Sequence, residues 1–410
     1  MPPRRPSGRP SSTRGRPSRA WRTTTTMSEQ PASVALAART EITGARRLVV
    51  KVGSSSLTDA AGMLDIARME MLVDALAAAR GRGQDVVLVS SGAMASGMGP
   101  LRMRHRPRDL ASKQAAASVG QSLLVGRYGS LFARHDLTVG QVLLTVEDVA
   151  RQDHYRNALR TFTRLLELGV VPVVNENDTV ATHEIRFGDN DRLAALVAHL
   201  VGADALVLLS DVDSLYTEHP SHASARPIQL VPDIDELEVD TSGAGAEIGT
   251  GGMATKLQAA RIATASGIPV VLAAAASVEA ALTGEPVGTL FQATGKRRSR
   301  KLMWLAYASV SQGELVLDAG AVRALTERKA SLLPAGILEV RGAFHVGDPV
   351  RLVSEAGTVV ARGLVGYDSS DLPGIIGRST RDLVAERGAG FDREVVHRDD
   401  LIVRSRKKRT

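Results

Sequence analysis

Cysteine is absent from all 410 residues, which excludes disulfides, zinc–thiolate sites and thiol nucleophiles. Aromatic residues make up only 3% of the chain, too few for the stacking platforms that hold single-stranded nucleic acid. No apolar run approaches the roughly 18 residues of a membrane span. No G-x-x-x-x-G-K-[ST] stretch occurs, so there is no Walker P-loop. "GAGAEIG" (243–249) misses the dinucleotide fingerprint by one residue and follows no strand. His397, Arg398 and Asp399 imitate a protein-kinase catalytic loop, but the Asn that should follow is missing. These absences fit a cytoplasmic enzyme with no membrane partner.

Acidic residues are missing from one region only. Residues 1–26 carry seven arginines and no acid. Without those seven, the 51 basic residues fall to 44, equal to the 44 acidic ones. The net charge of +7 is therefore no sign of a nucleic-acid surface. Pro, Ser, Thr and Arg offer almost nothing to bury, so residues 1–42 are expected to be a disordered basic extension. The stretch lacks the apolar core of a secretory signal. A transit peptide shares its composition; an extension upstream of a start at Met27 is the plainer reading.

From Arg46 onward, short Val/Leu runs alternate with helical patterns. "RRLVVKVGSSSL", "DVVLVSSGAM", "TVGQVLLT", "VVPVVNEND" and "DALVLLSDVDSLY" read as strands. Helical spacing marks 65–80, 153–168 and 253–266. This alternation predicts an α/β fold, an open and mostly parallel sheet sandwiched by helices. After about residue 283 short strands and glycine turns take over, with one clear helix at 319–328, which predicts a small β-rich domain. The expected units are 43–283, 287–382 and a C-terminal tail, 383–410.

Open α/β sheets bind ligands beyond the carboxyl ends of their strands. Here the ends are polar: Lys51 and Gly53, Ser90 and Ser91, Asn175 through Asp178, Ser210 and Asp211. Lys51 before Gly53 offers a point charge beside a backbone that a phosphate can approach, although a surface lysine before a turn is the commoner case. "GTGGMATKLQAARIA" (249–263) is more specific. A Gly/Thr loop runs into a helix whose free N–H groups suit an anion, and Lys256 stands in the first turn, where a cation is unfavourable unless an anion is near. The short polar groups at 175–178 and 189–191 could be turn formers and caps, with Asp189 or Asn190 capping the helix that follows. Seven of them in two clusters are more than capping requires.

Together these stretches resemble the amino-acid kinase family, and within it the members that phosphorylate glutamate. "VVKVGSSSLT", "VVLVSSGAMASGM", "VVPVVNENDTVATHEIRFGDNDRLAALVA", "LVLLSDVDSLYT" and "GTGGMATKLQAARIA" carry the likeness in order. "LDAGAVRALTERKASLLPAGILEVRGAFHVGDPVRLV" resembles a PUA domain. The likeness spans about residues 46–380. Ser214 departs from it where relatives have Gly, which touches only a local turn.

The resemblance implies transfer of a phosphoryl group from ATP, with Mg²⁺, to the γ-carboxylate of L-glutamate, the first step of proline biosynthesis. A carboxylate is already ionised at pH 7 (reference pKa about 4.3), so no general base is needed. The task is to bring an anion to a polyanion, which calls for cations and positioning. By resemblance Lys51, Lys256 and Asp191 are catalytic, Asp191 orienting the lysines. The nucleotide is expected at Lys51, Gly53, Ser210, Asp211, Thr250, Gly251, Gly252, Met253, Ala254, Thr255 and Lys256. Glutamate is expected at Ser91, Asp178 and Asn190. No residue is expected to ligate metal directly; Mg²⁺ would sit on ATP oxygens and water. Family likeness also implies a homo-oligomer and proline as feedback inhibitor. Two alternatives stand beside this reading. One is a sibling kinase with another carboxylate acceptor. The other is an RNA-binding PUA protein, supported by the PUA-like region and the "KRRSRK" run.

Overall fold

Six-residue apolar runs set the frame: β1 (Arg47–Val52), β2 (Asp85–Ser90), β3 (Val139–Leu144), β4 (Val171–Glu176) and β5 (Ala205–Ser210). The computed structural model describes residues 39–59, 62–180, 190–237, 252–294, 305, 311–387 and 393–403. β4 and β5 are buried at every position. Unbroken burial of this kind marks strands covered on both faces. Further strands are β6 (Leu215–Tyr216), β7 (Pro227–Ile228), β8 (Leu230–Val231), β9 (Val270–Ala274) and β10 (Thr289–Phe291). The large sheet runs β3-β4-β2-β1-β5-β9-β10-β8. Its pairs from β3 to β9 are parallel, and β10 lies antiparallel to β9. Register places Val52 opposite Ser90 and Leu209, and Ser210 opposite Ala274. The polar strand ends therefore share one edge.

Helices cover both faces. They are α1 (Ile66–Gly81), α2 (Ala93–Met98), α3 (Leu110–Ala133), α4 (Gln152–Glu167), α5 (Asn190–Val201), α6 (Met253–Ala265) and α7 (Val278–Leu282). Alternation along β1 sends Val49 to one core with α4, α5 and α6, and Leu48, Val50 and Val52 to the other with α1, α3 and α7. Lys51 follows the parity of Val49, so it faces α5 and α6. Asp65 and Asp109 start α1 and α3 by accepting the backbone N–H groups of Arg68 and Ser112 at 3.2 and 2.8 Å.

A second sheet, β12-β11-β13-β14-β15, follows: β11 (Gly313–Leu317), β12 (Ile337–Gly342), β13 (Pro349–Ser354), β14 (Val359–Leu364) and β15 (Leu401–Val403). With α8 (Ala319–Arg328) and α9 (Thr380–Arg387) it has its own core, including Leu315, Leu325, Leu352 and Leu383. Among the described residues no helix is long and apolar enough to cross a membrane.

The structure differs from the sequence expectation at three boundaries. Residues 39–43 form a helical turn, and Arg39 and Ile42 are buried. The Arg39 guanidinium donates to the carbonyls of Glu285, Val287 and Gly288. It thereby ties the segment expected to link two units onto the first one. β10, expected within the second unit, instead joins the large sheet. Thr289 fastens it by donating to the Ile228 carbonyl at 2.5 Å and accepting from the Leu215 N–H at 2.8 Å. The tail contributes β15 to the small sheet, pairing with β14. Residues 1–38, the basic run 296–301 and residues 404–410 lie outside the described residues.

α2 and α3 touch through glycine. A Cβ on Gly120 would lie 1.6 Å from the Ala93 carbonyl oxygen, and one on Gly97 would lie 1.9 Å from that of Ala116. Both obstacles are backbone. Gly120→Ala should therefore cost about 1–3 kcal/mol or more and lower Tm by several degrees. Gly126→Ala on the same helix meets nothing within 4 Å; it should raise stability by about 0.5–1 kcal/mol. Calorimetry on the two variants checks the pair of opposite signs.

Candidate active site

Three charged side chains meet above the carboxyl end of β1. Lys51 comes from β1, Asp191 from the first turn of α5 and Lys256 from the first turn of α6. Lys51 Nζ lies 2.5 Å from Asp191 Oδ1, and Lys256 Nζ 3.4 Å from Oδ2. Thr255 Oγ1 donates to the same Oδ2 at 2.7 Å. The three are 5%, 1% and 6% exposed in chain order, so the group is sealed yet carries a net charge of +1. Burial pushes the Asp191 pKa up; the two lysines, Lys51 first, and the hydrogen bonds from Lys51 and Thr255 outweigh it and hold the carboxyl below its ordinary value. The lysine in the first turn of α6 thus has an anion partner inside the protein. Beside Lys51, a Cβ at Gly53 would stand 3.6 Å from its Nζ, an ordinary contact distance.

A second polar cluster adjoins this one. Asn190, the first residue of α5, turns its amide away from the helix. Its Nδ2 donates to Ser91 Oγ at 2.8 Å, to Asn175 Oδ1 at 3.1 Å and to the Ser90 carbonyl at 3.3 Å. Its Oδ1 is buried with no hydrogen-bond partner among the described residues. Asn175 Oδ1 also accepts the N–H of Glu176 at 2.9 Å. Asn190 therefore ties the ends of β2 and β4 together and is no helix cap; Asp189 lies outside the described residues. Gly92 turns the chain after Ser91 at φ +104, a conformation that suits glycine. Asp178 is half-buried, and no donor among the described residues reaches it. Burial, and then the charge of Glu176, push its pKa up to about 7.

On the other side of Lys51, Ser210 Oγ donates to Asp211 Oδ1 at 3.0 Å. Both residues line a cavity of about 360 Å³ walled by Val52, Leu57, Met71, Leu72 and residues 274–276. Gly252 caps α6, and Met253, Ala254, Thr255 and Lys256 form its first turn. The Thr255 hydroxyl bonds Asp191 and the Gly252 carbonyl, so this side chain supports the charged group rather than facing outward. Thr250 and Gly251 lie outside the described residues. Asn175 was not separable by sequence from its polar neighbours. Its only signal was position, as the first polar residue after an apolar strand.

Removing the central carboxylate leaves two buried ammonium groups facing each other. Asp191→Ala should therefore destabilise the fold by about 3–5 kcal/mol, while Lys51→Met should cost less, because Asp191 keeps Lys256 and Thr255. Urea unfolding of the two variants gives the ranking.

Comparison with known proteins agrees with this arrangement. The amino acid kinase family profile matches residues 46–274, and the PUA domain profile matches 313–386. Glutamate 5-kinase of Salinispora arenicola is 59% identical over 367 residues, covering 89% of this chain and all of that protein. Glutamate 5-kinase of Streptomyces coelicolor is 59% identical over 368 residues, covering 89% and 98%. Glutamate 5-kinase of Cutibacterium acnes is 56% identical over 370 residues, covering 90% and 95%. The chain belongs to the amino acid kinase family, alongside the glutamate 5-kinases, with a PUA domain after the kinase region.

Proposed function

We infer that this chain transfers the γ-phosphoryl group of ATP to the side-chain carboxylate of L-glutamate, the first step of proline biosynthesis. One observation carries the mechanism: the buried Lys51–Asp191–Lys256 group, two ammonium groups held on one carboxylate. The nucleophile is a carboxylate and needs no proton removed. The barrier is repulsion between anions, and two held lysines oppose it most where charge spreads over the transferring oxygens. Asp191 fixes both ammonium groups, so little reorganisation is left for the moment of transfer.

The acceptor lies on the Asn190 side. Ser91 receives a carboxylate. Asp178 and Asn190 Oδ1, which has no partner among the described residues, both accept hydrogen bonds, which suits an α-ammonium group. The nucleotide lies across Lys51, toward Ser210, Asp211 and the start of α6. Among the described residues no three acidic or histidine side chains converge to hold an ion, and both oxygens of Asp191 are engaged. We place Mg²⁺ on the oxygens of ATP and water, with no side chain of this protein ligating it directly. The small domain contributes none of these residues, and we assign it assembly or regulation rather than chemistry.

A coupled assay of ATP turnover with glutamate, aspartate and acetylglutamate tests the substrate; higher kcat/KM for either rival overturns the reading. Lys256→Ala should lower kcat about 10²-fold or more, as loss of one preorganised contact does. The raised pKa of Asp178 gives a pH signature. Below pH 7 the carboxyl is neutral and cannot pair with an ammonium, so KM for glutamate should fall as pH rises through about 7 and then level. Asp178→Asn should flatten that profile at a KM about ten- to a hundredfold higher, at 1.4 kcal/mol per decade, with KM for ATP unmoved.

A further inference from the structure

α3 carries three polar side chains at seven-residue intervals: Gln114, Gln121 and Tyr128. Seven residues are nearly two helical turns, so they lie on one face, about 10 Å apart along the axis. Each is bonded to a wall of the proposed glutamate site. Gln114 Nε2 donates to the carbonyl of Thr179 at 3.4 Å, and Gln121 Nε2 to that of Glu176 at 3.2 Å; these residues flank Asp178. Tyr128 Oη lies 2.8 Å from Ser90 Oγ, next to Ser91.

The tyrosine is the informative member. It is fully buried and packs on Phe132, ring centroids 6.5 Å apart. A phenylalanine would fill the same space, whereas a buried hydroxyl without a partner is costly. Ser90 has one hydroxyl proton and gives it to the Ser91 carbonyl at 3.0 Å. With that proton so placed, Tyr128 is the donor in its contact with Ser90, where the geometry lets either hydroxyl give the proton. Burial raises the phenol's pKa further above its ordinary value, so it stays protonated and donating at any working pH.

We propose that Tyr128 is a positioning residue for the amino-acid acceptor: through Ser90 it fixes the backbone at Ser91 and so aims the hydroxyl that meets the substrate. The proposal rests on the glutamate reading above. Gln121 acts likewise on the opposite wall, which makes α3 the common support of both sides of the pocket.

The test uses the full chain. Tyr128→Phe should raise KM for glutamate about three- to tenfold and leave KM for ATP and kcat within about twofold, the scale of one lost hydrogen bond. Ser90→Ala should do the same, and the double variant should be no worse than either single one. A packing defect alone would move both KM values together; that outcome, an unchanged KM for glutamate, or additive effects would each overturn the proposal. A second readout needs no substrate. Amide exchange around residues 91–93 should quicken in Tyr128→Phe and stay unchanged in α4. Were the parent chain not to use glutamate, the function reading would fail on its own, and the exchange result would still decide the relay: faster exchange keeps it, unchanged exchange sinks it.

Discussion

The site depends on one constraint: two lysine ammonium groups are buried within reach of a single carboxylate. Lys51 and Lys256 are buried with Nζ 2.5 and 3.4 Å from Asp191, so that carboxylate offsets the cost of taking both charges out of water. Asp191 in turn needs Thr255 and both lysines to remain ionised against its own burial. The three come from β1, α5 and α6, on one face of the sheet, so the ion group also fixes how those elements pack. On the proposed reading, lysines held on one carboxylate before substrate arrives supply the preorganised charge that helps a phosphoryl transfer.

The sheet supplies the rest by register. Parallel pairing brings Val52, Ser90, Leu209 and Ser210 to one edge, and the chain after each strand delivers the polar groups there. Alternation along β1 decides that Lys51 faces α5 and α6 while Val50 and Val52 fill the opposite core. Glycine then allows one close approach: Gly97 with Gly120 lets α2 pack backbone to backbone against α3. That contact sets the helix that follows Ser91 on the helix that carries Gln121 and Tyr128.

The two sides of the site differ in character. Around Lys51 and Lys256 the charge is paired inside the protein through Asp191. Around Asn190 the Oδ1 has no hydrogen-bond partner among the described residues, and burial with the Glu176 charge pushes the Asp178 pKa up to about 7. On the proposed reading an ammonium group satisfies both acceptors, and that reading places selectivity for an amino acid over a plain dicarboxylate on α5 and the end of β4 rather than on the lysines.

Sequence alone determined the alternation of strand and helix and the polar strand ends, because period-2 and period-3.6 patterns and glycine loops are local signals, while Lys51, Asp178, Asn190, Asp191 and Lys256 were singled out by their place in stretches that resemble a family. It left other matters open, since they depend on contacts between residues far apart in the chain. Asn175 and Asn177 look alike in sequence, yet only Asn175 meets Asn190, because strand pleat and helix position choose between them. Thr255 reads as part of a nucleotide loop, but packing of α6 on α5 gives its hydroxyl to Asp191. The end of the first unit near residue 283 is plausible by composition, but β10 is captured by the large sheet through Thr289 and Arg39, 250 residues apart in sequence. Tyr128 carries no local mark at all. Its role was decided where α3 brings a phenol against the end of β2, a meeting that only the folded chain creates.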